Sequence, residues 1–239
     1  MSVLLEVCVD SFESAVAARE GGADRLEVCG PLVTGGTTPS FGFVERCVQA
    51  LGLPVMMMVR PHDGEFQYGD DDLAIMERDI EVATQIGVTG VVFGVLRGDS
   101  VDEEACRRLL DVAGDLETTF HRAFDVVSDP LAAFGRIQEV GFSRVLTSGQ
   151  GITADQGAGL IRKLVNRSTK TRVLAGCGID SENVASLIEA TGVDEVHASA
   201  SRRIGERSNT TVVFGDQRRV TDAAVVRSIR AELVRLMPR

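Results

Sequence analysis

The sequence predicts an α/β fold, a (β/α)₈ TIM barrel in which residues 1–239 form a single domain. Three observations predict it: eight short apolar runs, helical patterns that alternate with them, and no linker or low-complexity segment between them. An open doubly wound sheet would show the same alternation. Eight short strands in 239 residues, with no second zone of different composition, favour closure into a barrel.

The eight apolar runs are the expected barrel strands. Four of them open just after a glycine that is typical of a helix C-terminus, namely Gly22, Gly87, Gly141 and Gly192. The remaining four runs are residues 3–9, 53–59, 116–120 and 172–175. The strands are therefore expected to alternate with helices from end to end.

The segments between the strands carry the signals of helices. Ser11 and Asp180 stand where helix caps are preferred, each before apolar residues at helical spacing. The other helical patterns cover residues 71–86, 102–113, 128–140, 153–165 and 221–237. The three longest loops, residues 30–39, 61–70 and 199–220, all follow strands, so they are expected at the carboxyl ends of the strands, where barrels bind their ligands.

Composition excludes several classes of partner. The net charge of −10 opposes binding to a phosphate backbone, and no apolar run approaches the length of a membrane helix. The start of the chain lacks the features of a signal peptide, and five scattered cysteines are not a disulfide framework. We expect a cytoplasmic protein with a small molecule or an ion as its partner, and neither nucleic acid nor membrane.

A repeated tetrapeptide marks the first two strands. Leu-Glu-Val-Cys occurs at residues 5–8 and again at residues 26–29. Since side chains alternate along a strand, Glu6 and Cys8 share one face, and Glu27 and Cys29 share the matching face of the next strand. We expect the thiols of Cys8 and Cys29 to lie side by side, and likewise the carboxylates of Glu6 and Glu27. Two thiolates suit the soft ion Cu(I), although cysteines that only fill the core are the alternative interpretation.

The two glutamates of this repeat need a cation if they face the barrel interior, because a buried carboxylate is otherwise strongly destabilised. Arg60, on the third strand, is the expected partner. The resulting cluster is interpreted first as a structural polar layer. An acid/base pair with a shifted pKa is the alternative.

Other polar residues fall at or just after strand ends. They include all three histidines, His62, His121 and His197, and also Arg122. The run Gly176 to Gly178 precedes a helix, so its backbone N–H groups could bind phosphate, with Ser148 and Ser199 on neighbouring loops. Glycines that only permit tight turns are the alternative interpretation.

Several segments together resemble a known family. They are the Leu-Glu-Val-Cys pair, residues 35–40 (Gly-Gly-Thr-Thr-Pro-Ser), Arg60-Pro61, residues 119–125 (Thr-Phe-His-Arg-Ala-Phe-Asp), residues 145–149 (Val-Leu-Thr-Ser-Gly) and residues 195–197 (Glu-Val-His). The chain resembles the CutC family of copper homeostasis proteins from residue 3 to about residue 201. Residues 203–215 depart from the family's usual pattern.

The resemblance implies a cytoplasmic barrel, usually a homo-oligomer, that is linked to intracellular copper. It also implies Cu(I) binding at the cysteines that match Cys8 and Cys29. The leading hypothesis is therefore a copper homeostasis protein that holds Cu(I) between these two thiolates, with no organic cofactor. Glu6, Glu27 and Arg60 would order the surrounding polar layer.

The alternative hypothesis is an enzyme that acts on a phosphorylated or otherwise anionic small molecule. Glu27 or His121 would serve as the general acid/base. The ligand-binding residues expected for the mouth are Glu6, Arg60, Arg122, Ser148, Gly176, Gly178, His197 and Ser199.

Overall fold

Eight parallel strands close into a barrel in the computed structural model of the protein, which describes residues 3–204 and 218–236. Each strand pairs with the next, and β8 pairs with β1. The strands are β1 Leu4–Val9, β2 Arg25–Val28, β3 Val55–Met58, β4 Gly90–Phe93, β5 Glu117–Phe120, β6 Arg144–Thr147, β7 Arg172–Gly176 and β8 Glu195–Ala198. The predicted TIM barrel is confirmed.

Eight helices surround the strands within the described ranges. They are α1 Phe12–Gly21, α2 Phe41–Leu51, α3 Asp70–Ile86, α4 Glu103–Ala113, α5 Pro130–Val140, α6 Ala158–Arg167, α7 Val184–Thr191 and α8 Ala223–Arg235. Ser11 caps α1 by accepting a hydrogen bond from the Ser14 amide, and the four predicted C-terminal glycines all have positive φ.

Helix α6 begins later than the pattern predicted, at Ala158 rather than at residue 153. The preceding loop is compact because two glycine backbones pack against each other. A Cβ on Gly157 would lie 1.8 Å from the Ser148 carbonyl oxygen, so this close approach requires glycine. The loop thereby uses residues that the periodicity had assigned to the helix.

The barrel has an apolar outer layer and a more polar interior. Leu5, Val7, Leu26 and Val28 are fully buried in the large cluster that packs the strands against the helices. The inward-facing positions hold a much smaller apolar cluster, formed by Cys29, Met56, Met58 and Val92. Most of the remaining interior is occupied by charged side chains, which positions a polar site on the barrel axis.

Two short hairpins extend the loops at the carboxyl ends of the strands, the mouth of the barrel. One pairs Leu96–Arg97 with Ser100–Val101, and the other pairs Ser201–Ile204 with Arg218–Thr221. Residues 205–217 lie outside the described residues, and so does most of the segment 203–215 that departs from the family pattern. Within the described ranges, no helix is both long and apolar enough to cross a membrane.

Candidate functional site

A cavity of about 570 Å³ opens at the mouth of the barrel. Of the residues predicted to bind a metal or a ligand, five line it: Cys8, Arg122, Gly178, His197 and Ser199. Cys177, a third candidate thiol at the mouth, also lines this cavity, and so do the hairpin residues Arg218 and Arg219, which the sequence did not assign to the site. The cavity therefore has a thiol and an imidazole at its base and arginines on its walls.

Three buried donor groups lie together beside this cavity. The ligand atoms of Cys8, Glu27 and His197 are all within 4.8 Å of one another. The strand register explains the cluster, because Cys8 is opposite Glu27 on β2, and Glu6, two residues before Cys8, is opposite His197 on β8. Side chains two residues apart share a face, so all of these groups point inward.

The register corrects one expectation about the repeated tetrapeptides. Cys8 is opposite Glu27 and not opposite Cys29, which comes one residue after the end of β2. The Cys29 thiol donates a hydrogen bond to Oε2 of Glu27 at 3.4 Å. Cys29 is not a member of the set of mutually close donor groups. The stagger between barrel strands thus places a thiol beside an acid.

His197 is held between two carboxylates. Its Nδ1 lies 2.8 Å from Oε1 of Glu6, and its Nε2 lies 3.7 Å from Oε2 of Glu27. Burial lowers the pKa of His197, but the Cys8 sulfur and the Glu27 carboxylate outweigh burial and raise this pKa well above its usual value. These neighbours therefore favour the protonated form of the imidazole.

Glu6 has a different cation from the one predicted. Arg25, not Arg60, is its partner, and Arg25 Nε lies 2.5 Å from Oε2 of Glu6. Burial raises the pKa of Glu6, but Arg25 and His197 together outweigh burial and lower this pKa to about 2. The signal that could have identified Arg25 is its position two residues before Glu27, which gives both side chains the same inward face.

Glu27 and Cys29 are hydrogen-bonded to each other, and the pKa of each is raised. Burial raises the pKa of Glu27, and Oε1 of this residue has no hydrogen-bond partner among the described residues. Burial and the neighbouring Glu27 raise the pKa of Cys29 well above its usual value. Cys29 is therefore a neutral thiol at physiological pH, and Glu27 is the nearby group that can take its proton.

A chain of alternating charges, which we call the ionic column, runs from the amino-terminal end of the barrel to the mouth. Glu195 accepts from Arg25 at 2.6 Å, Arg144 at 3.1 Å and Arg172 at 2.9 Å. The members in order are Glu117, Arg144, Glu195, Arg25, Glu6, His197 and Glu27. The cluster at the mouth is thus the upper end of a longer network that the sequence analysis did not identify.

Arg60 is buried and binds backbone carbonyls. Its Nη1 donates to the carbonyl oxygens of Thr34 at 3.1 Å and Gly36 at 2.9 Å, and its Nη2 donates to Gly64 at 3.0 Å. It therefore ties the loop after β2 to the loop after β3. Its Nε has no partner within the described part of the chain.

His121 is a buried neutral imidazole. Burial, together with the charge of Arg60, lowers its pKa to about 3. Its Nδ1 accepts a hydrogen bond from the Ala123 amide at 3.3 Å, so the single proton is on Nε2. Nε2 itself has no partner among the residues described.

Asp125 connects the loops after β5 and β6. It accepts from Thr147 Oγ1 at 2.5 Å, from the Ser148 amide at 3.1 Å and from Arg122 Nε at 2.8 Å. Arg122 also donates to Ser148 Oγ at 3.2 Å. Ser148 is thus part of the framework that holds Arg122, and Asp125 is a site residue that the sequence analysis missed although it ends one of the distinctive segments.

The backbone is strained at three neighbouring mouth loops. Gln150, Cys177 and Ala200, which follow β6, β7 and β8, have φ of 61°, 83° and 43°. Non-glycine residues with positive φ are uncommon and cluster at binding sites. Gly176 packs against His197, since a Cβ there would lie 3.3 Å from the His197 Cβ. Of these loops, those after β7 and β8 contribute Gly178 and Ser199 to the wall of the cavity, whereas Ser148 and Gly176 do not line it.

Comparison with known proteins gives one consistent family. The model of the CutC family matches residues 3–202. The Homo sapiens copper homeostasis protein cutC homolog is 42% identical over 95% of this chain and 88% of its own length. A CutC family protein of Histophilus somni is 39% identical over 89% of each chain.

Solved structures agree with these sequence matches. The crystal structure of the CutC protein from Streptococcus agalactiae is 31% identical, with a TM-score of 0.78 over 82% of this chain and 98% of that one. A phosphoribosylanthranilate isomerase from Thermotoga maritima is 17% identical, with a TM-score of 0.61 over 98% of this chain and 100% of that one, which is a likeness of fold alone. The chain, matched over most of its length by the family model and by these relatives, belongs to the CutC family.

Proposed function

We propose that this protein takes part in copper homeostasis by binding Cu(I) at the mouth of the barrel through Cys8 and Cys29, with His197 as a further ligand. The observation that carries the proposal is the cluster of Cys8, Glu27 and His197 donor atoms within 4.8 Å of one another. Relatives of this chain in human and mouse carry the name copper homeostasis protein cutC homolog. Copper is the cargo in this proposal.

The donor types fit the ion. Cu(I) prefers thiolate and imidazole ligands, and Cys8 and His197 both line the open cavity, so an ion can reach them. Glu6 bonds to Nδ1 of His197, which leaves Nε2 to face the ion. A carboxylate behind the imidazole is the usual support of a metal-binding histidine. The proton on Nε2 must leave when the ion binds, and Glu27 is close enough to accept it.

Cys29 can bind copper only after its thiol loses a proton and changes direction. It is a neutral thiol that donates to Glu27, and it lies outside the set of mutually close donor groups. To bind copper it must lose its proton and turn its sulfur away from Glu27. The contribution of Cys29 is therefore expected to be smaller than that of Cys8, which already lies beside His197.

An anaerobic Cu(I) titration against a colorimetric chelator tests the proposal. We expect the wild-type chain to hold one Cu(I) per chain and Cys8→Ser to lose tight binding, with smaller losses for Cys29→Ser and His197→Gln. Cys106→Ser is the matched control, because Cys106 is buried on α4 and bonds to the Val95 carbonyl. Full retention of Cu(I) by Cys8→Ser would overturn the proposal.

A second candidate function is an enzyme that acts on a phosphorylated or otherwise anionic small molecule. The observation that favours it is the cavity wall, where Arg122, Arg218 and Arg219 stand beside Gly178 and Ser199. Calorimetric titration with inorganic phosphate tests it. We expect Arg122→Ala and Arg219→Ala to weaken binding, while the exposed Arg78→Ala, on α3, leaves it unchanged. Absence of phosphate binding by the wild type would exclude this candidate.

We also propose a cytoplasmic, homo-oligomeric protein with no nucleic-acid or membrane partner. All five cysteines are unpaired, which agrees with a reducing compartment, and the net charge of −10 disfavours nucleic acid. Val33 and Ile152, 94% and 81% exposed, are apolar residues that a second copy could cover. Cell fractionation tests the compartment, and light scattering of the purified chain tests the assembly.

A further inference from the structure

A second cavity, of about 430 Å³, lies at the amino-terminal end of the barrel, opposite the mouth. Residues at or just before the starts of seven of the eight barrel strands line it. Its volume is typical of sites that bind small molecules. The described residues that line it include none of the three proposed copper ligands, Cys8, Cys29 and His197. This cavity is therefore separate from the site at the mouth.

Cations dominate the lining of this second cavity. Arg25, Arg144, Lys170 and Arg172 line it, and Glu117 is the one carboxylate among the described lining residues. This excess of positive charge occurs in a chain whose net charge is −10. A concave surface lined by charges of one sign concentrates ligands of the opposite sign. The cavity is therefore expected to attract anions.

Two of these cations are directly opposite each other. Arg144 and Arg172 are the first residues of β6 and β7, and they are partners in the strand register. Like charges at opposite positions on neighbouring strands are destabilising unless an anion lies between them. Glu195 is that anion, since it accepts from Arg144 at 3.1 Å and from Arg172 at 2.9 Å. It also accepts from Arg25 at 2.6 Å, so one carboxylate serves three guanidinium groups.

Arg144 has only a structural part in this cluster. Its side chain is 4% exposed, and each of its three guanidinium nitrogens already donates. Nε donates to Glu195, Nη1 donates to Thr119, and Nη2 donates to Glu117. Arg144 is therefore not expected to bind a ligand.

Arg172 differs because most of its donors are unused. Its Nη1 donates to Glu195, whereas its Nε and Nη2 have no partner among the described residues. These two nitrogens lie on the same edge of the guanidinium group, and this edge can donate two parallel hydrogen bonds to one oxyanion. The side chain is 59% exposed, so a ligand from solvent can reach it.

Lys170 and Arg25 supply further unused donors. Lys170 is exposed, lies two residues before Arg172 and forms no ion pair with any part of the chain that the structure describes. Arg25 donates through Nε and Nη2, so its Nη1 is without a partner within residues 3–204 and 218–236. The unused donors of three cations therefore belong to residues that line one open cavity.

We propose that this second cavity is a binding site for a small oxyanion with at least two negative charges. Arg172 would bind two oxygens of the anion through Nε and Nη2, and Lys170 would supply a compact second charge. Arg25 would contribute from the buried side of the cavity. The Glu117 carboxylate, in the same lining, opposes the anion and limits its affinity. A phosphate group and a polycarboxylate share this chemistry, and neither candidate function at the mouth is required.

Amide NMR titrations of the full chain at low ionic strength, with inorganic phosphate and with citrate, test the proposal. We expect at least one of these anions to shift the amide resonances of Thr89, Ser143 and Arg172, which line the second cavity. A response to phosphate alone identifies a phosphate site, and a response to citrate alone identifies a polycarboxylate site. Low ionic strength is needed because salt screens exposed charges.

Two exposed cations provide variants that keep the buried network intact. Arg172→Ala should weaken binding at the amino-terminal end at least about tenfold, as the loss of two charge-assisted hydrogen bonds predicts. Lys170→Ala should weaken it severalfold. Glu117→Gln should tighten it, because the opposing charge is removed. A purely structural role of these residues would change none of these affinities.

Arg122→Ala is the matched control, because Arg122 lines the cavity at the mouth and should leave affinity at the amino-terminal end unchanged. Shifts confined to mouth residues such as Gly178 and Ser199 would support the second candidate function and overturn this inference. Absence of any shift at Thr89 and Ser143 with both anions would overturn it, and so would affinities that Arg172→Ala and Lys170→Ala leave unchanged.

Discussion

Glu6 and His197 are joined across the seam that closes the barrel, with Oε1 of Glu6 2.8 Å from Nδ1 of His197. They are directly opposite each other on β1 and β8. Because both are buried and Glu6 is also paired with Arg25, the carboxylate cannot turn elsewhere. The pair therefore fixes the imidazole so that its other nitrogen faces Cys8 and Glu27.

The protonation of His197 is expected to depend on Glu6. In Glu6→Gln the carboxylate charge is lost, so the pKa of His197, which is raised well above its usual value in the wild type, should fall. NMR titration of the imidazole resonances, with His197→Gln for assignment, measures the midpoint. Glu20→Gln, on the exposed end of α1, is the control. An unchanged midpoint in Glu6→Gln would show that the carboxylate does not support the imidazolium.

His121 is expected to make the fold sensitive to acid. Its pKa is lowered from 6.5 to about 3, so the unfolded chain binds a proton in this interval that the folded chain does not. Its contribution to stability is present above pH 6.5 and is lost as the pH falls toward 3. Urea unfolding at several pH values should show a slope of up to about 1.4 kcal/mol per pH unit from this residue. His121→Phe should flatten that part of the curve, and an unaltered slope would contradict the assignment.

Arg25 is expected to be essential for stability, since it is the only link between Glu6 and Glu195 in the ionic column. Arg25→Met leaves two buried carboxylates without this cation and should lower the free energy of unfolding by about 3–5 kcal/mol. Arg172→Ala is the matched control, because Arg172 bonds to the same Glu195 but its side chain is 59% exposed. The control should cost about 1 kcal/mol or less in denaturant unfolding. Equal losses in the two variants would contradict the burial argument.

Asp125 is expected to hold the two loops that carry Arg122 and Ser148. Asp125→Asn removes a charged acceptor shared by Thr147 Oγ1, the Ser148 amide and Arg122, and should destabilise the fold by about 1–3 kcal/mol. Hydrogen exchange should accelerate at the amides of Ser148 and Gln150, which both donate to Asp125. Exchange elsewhere in β6 should change much less. Unaltered protection at these two amides would show that the loops are held by other contacts.

The fold was predictable because its signals are local. Gly22, Gly87, Gly141 and Gly192 end helices in the left-handed conformation, and each precedes a barrel strand, as their positions in the sequence indicated. The one displaced helix start, at Ala158, depends on a close approach of two glycine backbones that periodicity does not encode. Local pattern thus determines which elements form, and backbone packing adjusts where they begin.

The site was predictable only in part. Cys8, Arg122 and His197 were found because chemistry in a barrel is concentrated at strand ends. The offset that places Cys8 opposite Glu27 comes from the stagger of the closed barrel, which no single segment carries. Arg25 carried a local signal, since it shares the inward face of Glu27, but the partners of Glu195 come from β2, β6 and β7 and are brought together only in the assembled barrel.

The ionic column also limits how this barrel can change. A neutralising substitution at Glu195 would remove one anionic partner from three arginines at once, and the anion that Arg25 keeps is Glu6, the residue that orients His197. A substitution at the amino-terminal end of the barrel axis would then alter the proton affinity of His197 at the solvent-facing opening. Engineering of new ligand specificity in this scaffold therefore has to conserve the total charge along the barrel axis, and not only the residues that contact the ligand.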